Sequence, residues 1–245
     1  MTTDVVVGAS AGLGAALALE LATRGRRVIA VARRPARLAD LVQIHRGIEP
    51  IVGDICRPIE LTQRIVEHHI MPQARWWLCA GWRPLETTAH EHLHNHAGGW
   101  IALLEQLLIA RLLLESTRVV YISSAAAWAP FDGLEAYCAS KAAVEAWIRA
   151  CRHSGRFAGR IVRPGQFDSE FYEQLPNLRN SKIPMTLAQT VIRRIDSGSG
   201  DITLGGWRDI IGFKLSSLIG HERARLILDL GVSKPSLNVS RRAHE

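Results

Sequence analysis

The sequence has no long apolar run, few cysteines and no low-complexity tract, and each absence removes a class of protein. Its longest apolar stretches, such as residues 107–114, are short and interrupted by Arg111, so none is expected to span a bilayer. Cys56, Cys79, Cys138 and Cys151 are scattered without the spacing of a metal site or a redox pair. They read as free thiols of a protein kept in a reducing compartment. Residues 1–7 run almost directly into a strand-like segment, without the basic stretch, apolar stretch and cleavage site of a secretory leader. A cytoplasmic location is the expectation. There is no internal repeat, and glycine and proline are not in excess. The formal net charge is +7, but the basic residues come in ones and twos with acidic residues between them. Such a dispersed excess steers small anions, and no nucleic-acid partner is expected.

What is present is a folded α/β pattern. The chain has 245 residues, 47% of them hydrophobic, enough for one large core. Short β-branched runs at 4–7, 27–31, 49–52, 75–78, 117–122 and 160–162 read as strands covered on both faces. Helix-period segments lie between them at 13–24, 35–46, 60–69, 95–114 and 135–152. Strand and helix in alternation predict βαβ units, hence a Rossmann-type doubly wound parallel sheet in a single domain. After Pro164 the pattern weakens to short helices at 167–175 and 187–197, a strand at 201–204 and a terminal helix.

The first strand ends in Gly8-Ala9-Ser10-Ala11-Gly12-Leu13-Gly14 and a helix follows at once. Glycines there permit a tight turn and close approach to a pyrophosphate, which the helix N-terminus then faces. The second strand ends in Ala32-Arg33-Arg34, and no Asp or Glu occurs between Glu20 and Asp40. An NAD site usually has an acid here for the ribose hydroxyls; a cation suits the 2′-phosphate of NADP. Arg33 is the expected phosphate contact, helped by Ser10 and Arg34. Further on, Tyr137 and Lys141 lie four apart on one helical face. An ammonium beside a phenol lowers the phenol's pKa, as a general acid/base for an alcohol–carbonyl pair requires. Ser124, thirteen residues before Tyr137, ends a strand at the sheet edge where ligands bind and can hold the substrate oxygen.

In these motifs the chain resembles the short-chain dehydrogenase/reductase family. Gly8, Gly12 and Gly14 match its glycine motif, Tyr137 and Lys141 its catalytic motif, and Ser124 its strand-end serine. Asn95 with Gly98 matches its helix asparagine and glycine, Asp54 the acid that approaches adenine, and Pro164-Gly165 the segment after the sixth strand. The resemblance implies an NADP(H)-dependent carbonyl reductase or alcohol dehydrogenase acting on a small carbonyl or alcohol substrate. It implies that Tyr137 is the acid/base, that Lys141 lowers its pKa and binds the nicotinamide ribose, and that Ser124 orients the carbonyl. Asn95 would hold a water in a proton relay through Lys141. Leu13, Ile55, Ala80, Gly81, Pro164, Gly165, Phe167 and Ser169 join the expected cofactor contacts. A substrate lid is implied at about 166–200 and a C-terminal extension at about 206–245. The helices at 95–114 and 135–152 would form a homodimer or homotetramer interface. The chain departs from the family at Val7, where Thr is usual, and at Cys79, where Asn is usual. These changes are expected to weaken the coupling of the two strands without removing a catalytic group.

Several features stay open in the sequence. His90, His92, His94 and His96 include pairs four apart, but no carboxylate or cysteine completes a metal site, and none is predicted. His92 or His96 facing the substrate cleft is the other reading. Trp76 and Trp77 are expected to fill core on the two faces of their strand, while Trp82 either lines the site or packs. Phe167, Phe171, Tyr172 and Leu175 suit either an apolar lid, hence a partly hydrophobic substrate, or ordinary packing. The stretch 212–230 has an amphipathic character that suits the cleft, a partner or a membrane surface. The alternative function is a cofactor-binding regulatory protein without turnover.

Overall fold

A computed structural model of the chain describes residues 2–81, 88–128, 133–164 and 184–204. Seven parallel strands form one sheet: β1 (Thr3–Val7), β2 (Arg27–Ala32), β3 (Ile48–Val52), β4 (Arg75–Leu78), β5 (Arg118–Ile122), β6 (Ala158–Arg163) and β7 (Ile202–Thr203). Their order is β3-β2-β1-β4-β5-β6-β7, so the winding reverses between β1 and β4. The loops leaving those two strands part in opposite directions and open a crevice at the carboxyl edge of the sheet. This is the doubly wound Rossmann-type arrangement that the alternating pattern predicts.

The strands form where apolar residues run without interruption, because both faces of the sheet are covered. Val5, Val6 and Val7 are almost fully buried, and their side chains divide between two cores. On one face lie α3 (Pro58–Glu67), α5 (Gly99–Ile109) and α6 (Glu135–His153). The other face carries α1 (Gly12–Thr23), α2 (Pro35–Ile44) and α7 (Pro184–Ser197). Trp76 and Trp77 fill opposite cores, as alternation along a strand requires. Truncating either would cost about 3–5 kcal/mol. Trp77 Nε1 donates to the buried Asp4 carboxylate at 2.7 Å, and Arg26 pairs with that same group. The start of β1 is thereby tied to β4. The expected weakening at Val7 and Cys79 leaves no gap in the ladder, since Cys79 and Ala80 N–H both donate to Val7 O, at 2.8 and 3.0 Å.

Proline decides two helix starts. Pro35 and Pro58 each open a helix at the first turn, where the missing N–H costs nothing. The helix expected from residue 60 therefore starts at Pro58 and ends at Glu67, before His69 at φ 50°. The predicted helix 95–114 is the larger correction. It begins earlier as α4 (Ala89–His92), capped by Thr88 and Glu91, widens into a π-helical turn (Leu93–Gly98), and ends as α5 at Ile109. Residues 184–200 of the expected lid are α7 and its exit. Leu187, Ala188, Val191 and Ile192 are buried with Leu17 and Leu21 of α1, so α7 covers the sheet rather than closing over a cleft. The rest of the lid range to 183, the helix 167–175, Trp82 and the extension 206–245 lie outside the described residues. No described helix is long and apolar enough to cross a membrane.

Candidate active site

The crevice between β1 and β4 is floored by the glycine turn. Gly8 leaves β1 at φ 95°, a conformation open to glycine, and a Cβ on it would lie 2.4 Å from Ala80 N. Gly14 stands in the first turn of α1, where a Cβ would meet Gly8 O at 2.2 Å. The turn is thus folded against the end of β4, with Ala80 and Gly81 on the far side and Leu13 buried beneath. Gly12, at φ 53°, opens α1, whose N-terminus has no side-chain cap and no acidic residue in its first turn. Its first-turn N–H groups and positive dipole end are thus arranged for an anion.

The end of β2 supplies the cations. Arg34 lies across this turn: Nε and Nη2 donate to Ser10 Oγ at 3.1 and 3.0 Å, and Nη2 also to Ser10 O at 3.2 Å. Arg33 points towards Asp54, with Nη1 3.9 Å from Oδ2. Arg33 is the residue expected to lead; it is Arg34 that the structure ties to the glycine turn. Asp54 also accepts from Cys56 N–H at 3.0 Å, so it fixes the loop after β3 in which Ile55 is buried.

The side chains expected to carry the chemistry lie after β5 and at the start of α6. Ser124 follows β5 and accepts from Ala126 N–H at 3.2 Å, starting a short 3-10 turn (Ala125–Ala127) that packs on α6. Tyr137 is half-buried in the first turns of α6, and Lys141 one turn on is fully enclosed. Lys141 Nζ donates to Ile122 O at 3.1 Å and lies 5.8 Å from the Tyr137 ring centre and 5.0 Å from that of Tyr121. Burial lowers its pKa to about 8, with Cys79 and Glu145 opposing. Cys79 is itself raised by burial, to about 12, and stays a thiol, so it is no counter-ion at neutral pH. Burial likewise raises the Tyr121 hydroxyl well above its usual value.

The π-helical turn changes which residue meets the lysine. Asn95 and Gly98 were expected there. Gly99 is the glycine in contact, since its Cβ would come 3.2 Å from Ile55 O, whereas one on Gly98 would find its nearest neighbour at 3.9 Å. The register moves by one residue, and His96, three before Gly99, stands beside Lys141. A Cβ on Gly81 would lie 3.5 Å from both His96 Nε2 and Lys141 Nζ. Asn95 is half-buried and its carbonyl accepts from Cys56 Sγ at 3.5 Å. A π-turn adds a residue to the helical repeat, which no propensity signals. The spacing of His92 and His96 was visible in the sequence; their burial was not.

A buried clamp holds the far end of this site. Arg163, last in β6, binds Glu145 of α6 through Nε at 2.8 Å and through Nη2, and its guanidinium lies 4.1 Å from the Trp128 ring centre. Trp128 Nε1 donates to Glu145 as well, at 3.1 Å. The 3-10 turn after Ser124, the Tyr137 helix and the strand leading to the buried Pro164 are thereby joined. Sequence reading did not single out Glu145 or Arg163. Gly165, Phe167 and Ser169 lie outside the described residues.

Comparison with known proteins bears on the family and the fold. A family model described as the NAD dependent epimerase/dehydratase family matches residues 5–211. The short-chain dehydrogenase/reductase FrzI of Cladobotryum sp is 31% identical over 182 residues, covering 68% of this chain and 70% of that protein. The chain belongs to the short-chain dehydrogenase/reductase family. Another relative in this family, L-xylulose reductase of Caenorhabditis elegans, is 32% identical over 165 residues, 58% of this chain and 61% of that protein. The chain spans about half the length of some other relatives. Among solved short-chain dehydrogenases, one from Burkholderia cenocepacia J2315 in complex with NADP superimposes with a TM-score of 0.75 at 20% identity. The match covers 93% of this chain and 97% of that one, which establishes the common fold.

Proposed function

We propose that this chain is an NADP(H)-dependent oxidoreductase that interconverts a carbonyl and an alcohol on a small, partly hydrophobic molecule. The observation that carries the reading is Lys141, enclosed beside Tyr137 and held by Ile122 O at the carboxyl edge of the sheet, next to an uncapped helix N-terminus. An ammonium in that position favours the Tyr137 phenolate, so the hydroxyl can give its proton to a substrate oxygen and take it back. Ser124 Oγ already accepts from Ala126 N–H, which leaves its own hydrogen for the same oxygen.

The residues present suit a dinucleotide. Gly8, Gly12 and Gly14 leave no side chain between the backbone and a pyrophosphate, and Ser10 with Arg34 and Arg33 would meet a 2′-phosphate. Asp54 and Ile55 would flank the adenine, while Ala80, Gly81 and Lys141 would line the way to the nicotinamide ribose. When bound, the cofactor supplies or accepts the hydride. The solved relative with NADP supports the choice of cofactor.

Titration with NADPH and NADH, followed by nicotinamide fluorescence, tests the reading. Saturation favouring NADPH, followed by NADPH consumption with small ketones, is the expected result. Binding of neither cofactor would overturn it. Tight binding without turnover on any carbonyl would favour the regulatory alternative.

A further inference from the structure

Two imidazoles packed behind Tyr137 and Lys141 have no part in the roles given above. α4 and the π-turn carry four histidines, and they divide cleanly. His90 and His94 are exposed and stack on each other outside the fold. His92 and His96 are fully buried and stack with ring centres 5.6 Å apart and planes 6° from parallel. This inner pair runs along α6. At one end His92 Nε2 is 3.3 Å from Ser140 Oγ, and its ring centre is 6.3 Å from that of Tyr137. At the other end His96 Nε2 and Lys141 Nζ flank Gly81, each 3.5 Å from the point its Cβ would occupy. The two nitrogens are therefore no further apart than twice that distance.

Burial and the neighbouring ammonium hold both rings in the neutral form. The His92 pKa is lowered by burial and by Lys141; that of His96 lies well below the usual imidazole value, from burial, Lys141 and His92, with a hydrogen bond to the Ala80 backbone opposing. A neutral imidazole keeps one nitrogen lone pair as an acceptor, which an ammonium can use through one water. A protonated ring has no lone pair and would set a second positive charge against the first. The other titratable groups bearing on Lys141 among the described residues are Tyr137, Cys79, Tyr121 and Glu145. Cys79 and Tyr121 are neutral at pH 7, and Glu145 is engaged by Arg163 and Arg149.

We propose that His96, backed by the stacked ring of His92, is a positioning residue of the acid/base pair: through one bridging water beside Gly81 its neutral imidazole accepts from Lys141, keeps that group an ammonium and so sets the proton affinity of Tyr137. The inference rests on the reading of Tyr137 and Lys141 as the acid/base pair. In proton terms nothing is gained or lost at the ring. Lys141 stays charged while Tyr137 O–H breaks and re-forms, and protonation of His96 at low pH removes the acceptor.

The test needs no substrate. Ultraviolet difference titration, with Tyr137→Phe as the blank, gives the Tyr137 pKa in the NADP+-loaded protein. His96→Leu should raise it by about one unit, a tenfold loss of phenolate at fixed pH, while His96→Asn, which restores an acceptor, should return it close to the starting value. A merely structural role would change thermal stability and leave this titration unmoved, and an unmoved titration in folded His96→Leu overturns the proposal. Should that variant fail to fold, nitrogen NMR of the histidine rings in the cofactor-free protein decides. His96 should be neutral at pH 7, and its pKa should rise by at least about one unit in Lys141→Met, where the competing charge is gone. A ring that is protonated at pH 7, or indifferent to Lys141→Met, overturns it. The NMR result stands whether or not NADPH binds, so failure of the positioning role and failure of the oxidoreductase reading are separately visible.

Discussion

Arg34 grips Ser10 through three hydrogen bonds at the lip of the glycine turn, whereas Arg33 leans away towards Asp54. A 2′-phosphate would thus meet a guanidinium already held in place. Charge-assisted bonds contribute about 1.5–3 kcal/mol each, so Arg34→Ala should weaken NADPH by about tenfold or more and leave NADH little changed. Arg33→Ala should act in the same direction and less strongly; the two fluorescence titrations read the difference. On the proposed acid/base role, in which the phenol acts on a proton rather than on binding, Tyr137→Phe should reduce turnover by about a hundredfold or more with NADPH affinity retained. Lys141 is held in the interior at a cost to the fold. Its pKa falls from 10.5 to about 8, a penalty of roughly 3 kcal/mol for holding the charged form in the interior. Lys141→Met should therefore raise the urea midpoint of the cofactor-free protein at pH 7 while abolishing turnover.

Each functional side chain depends on how its element is anchored. α6 presents Tyr137 and Lys141 at its start and Glu145 one turn further, where Arg163 and Trp128 close over it. Glu145→Gln leaves the buried Arg163 charge with only the more distant Asp201 carboxylate, at 3.9 Å, and should cost about 3 kcal/mol, measured by denaturant unfolding. α5 is set by Gly99, which rests on the Ile55 carbonyl. Most of these elements were legible in the sequence, for a definite reason. Parallel strands buried on both faces are uninterrupted apolar runs, and Pro35 and Pro58 mark helix starts by chemistry that does not depend on tertiary context. The π-turn was not legible. Glycines at both 98 and 99 left the register open, and only packing against Ile55 distinguishes them.

For the molecule as a whole, buried basic groups make stability depend on pH in a defined direction. His92 and His96 are neutral when folded and would take up protons when unfolded, below their ordinary value of 6.5. Lys141 does the same between about 8 and 10.5. In both windows the unfolded chain binds more protons, so stability rises with pH through each. Above pH 9 the thiols of Cys79, half-buried beside Lys141, and of exposed Cys56, raised to about 12 and about 11, act in the opposite sense. The cofactor-free protein should therefore lose stability as pH falls below 6.5, and should gain it between 8 and 9. Urea midpoints across that range check both, and Lys141→Met should flatten the second window and shrink the first, since Lys141 helps hold both histidines neutral. The sequence by itself determined the order of strands and helices, the glycine turn, the pair of arginines after β2 and the Ser124, Tyr137 and Lys141 set. These follow from local patterning, charge and fixed spacing, which a chain carries wherever it folds. Only the tertiary structure decided that Arg34 holds Ser10, that His96 stands beside Lys141, and that Glu145 pairs with Arg163. Those contacts join residues distant in the chain, and their strength comes from exclusion of water, which exists only once the two faces of the sheet are covered.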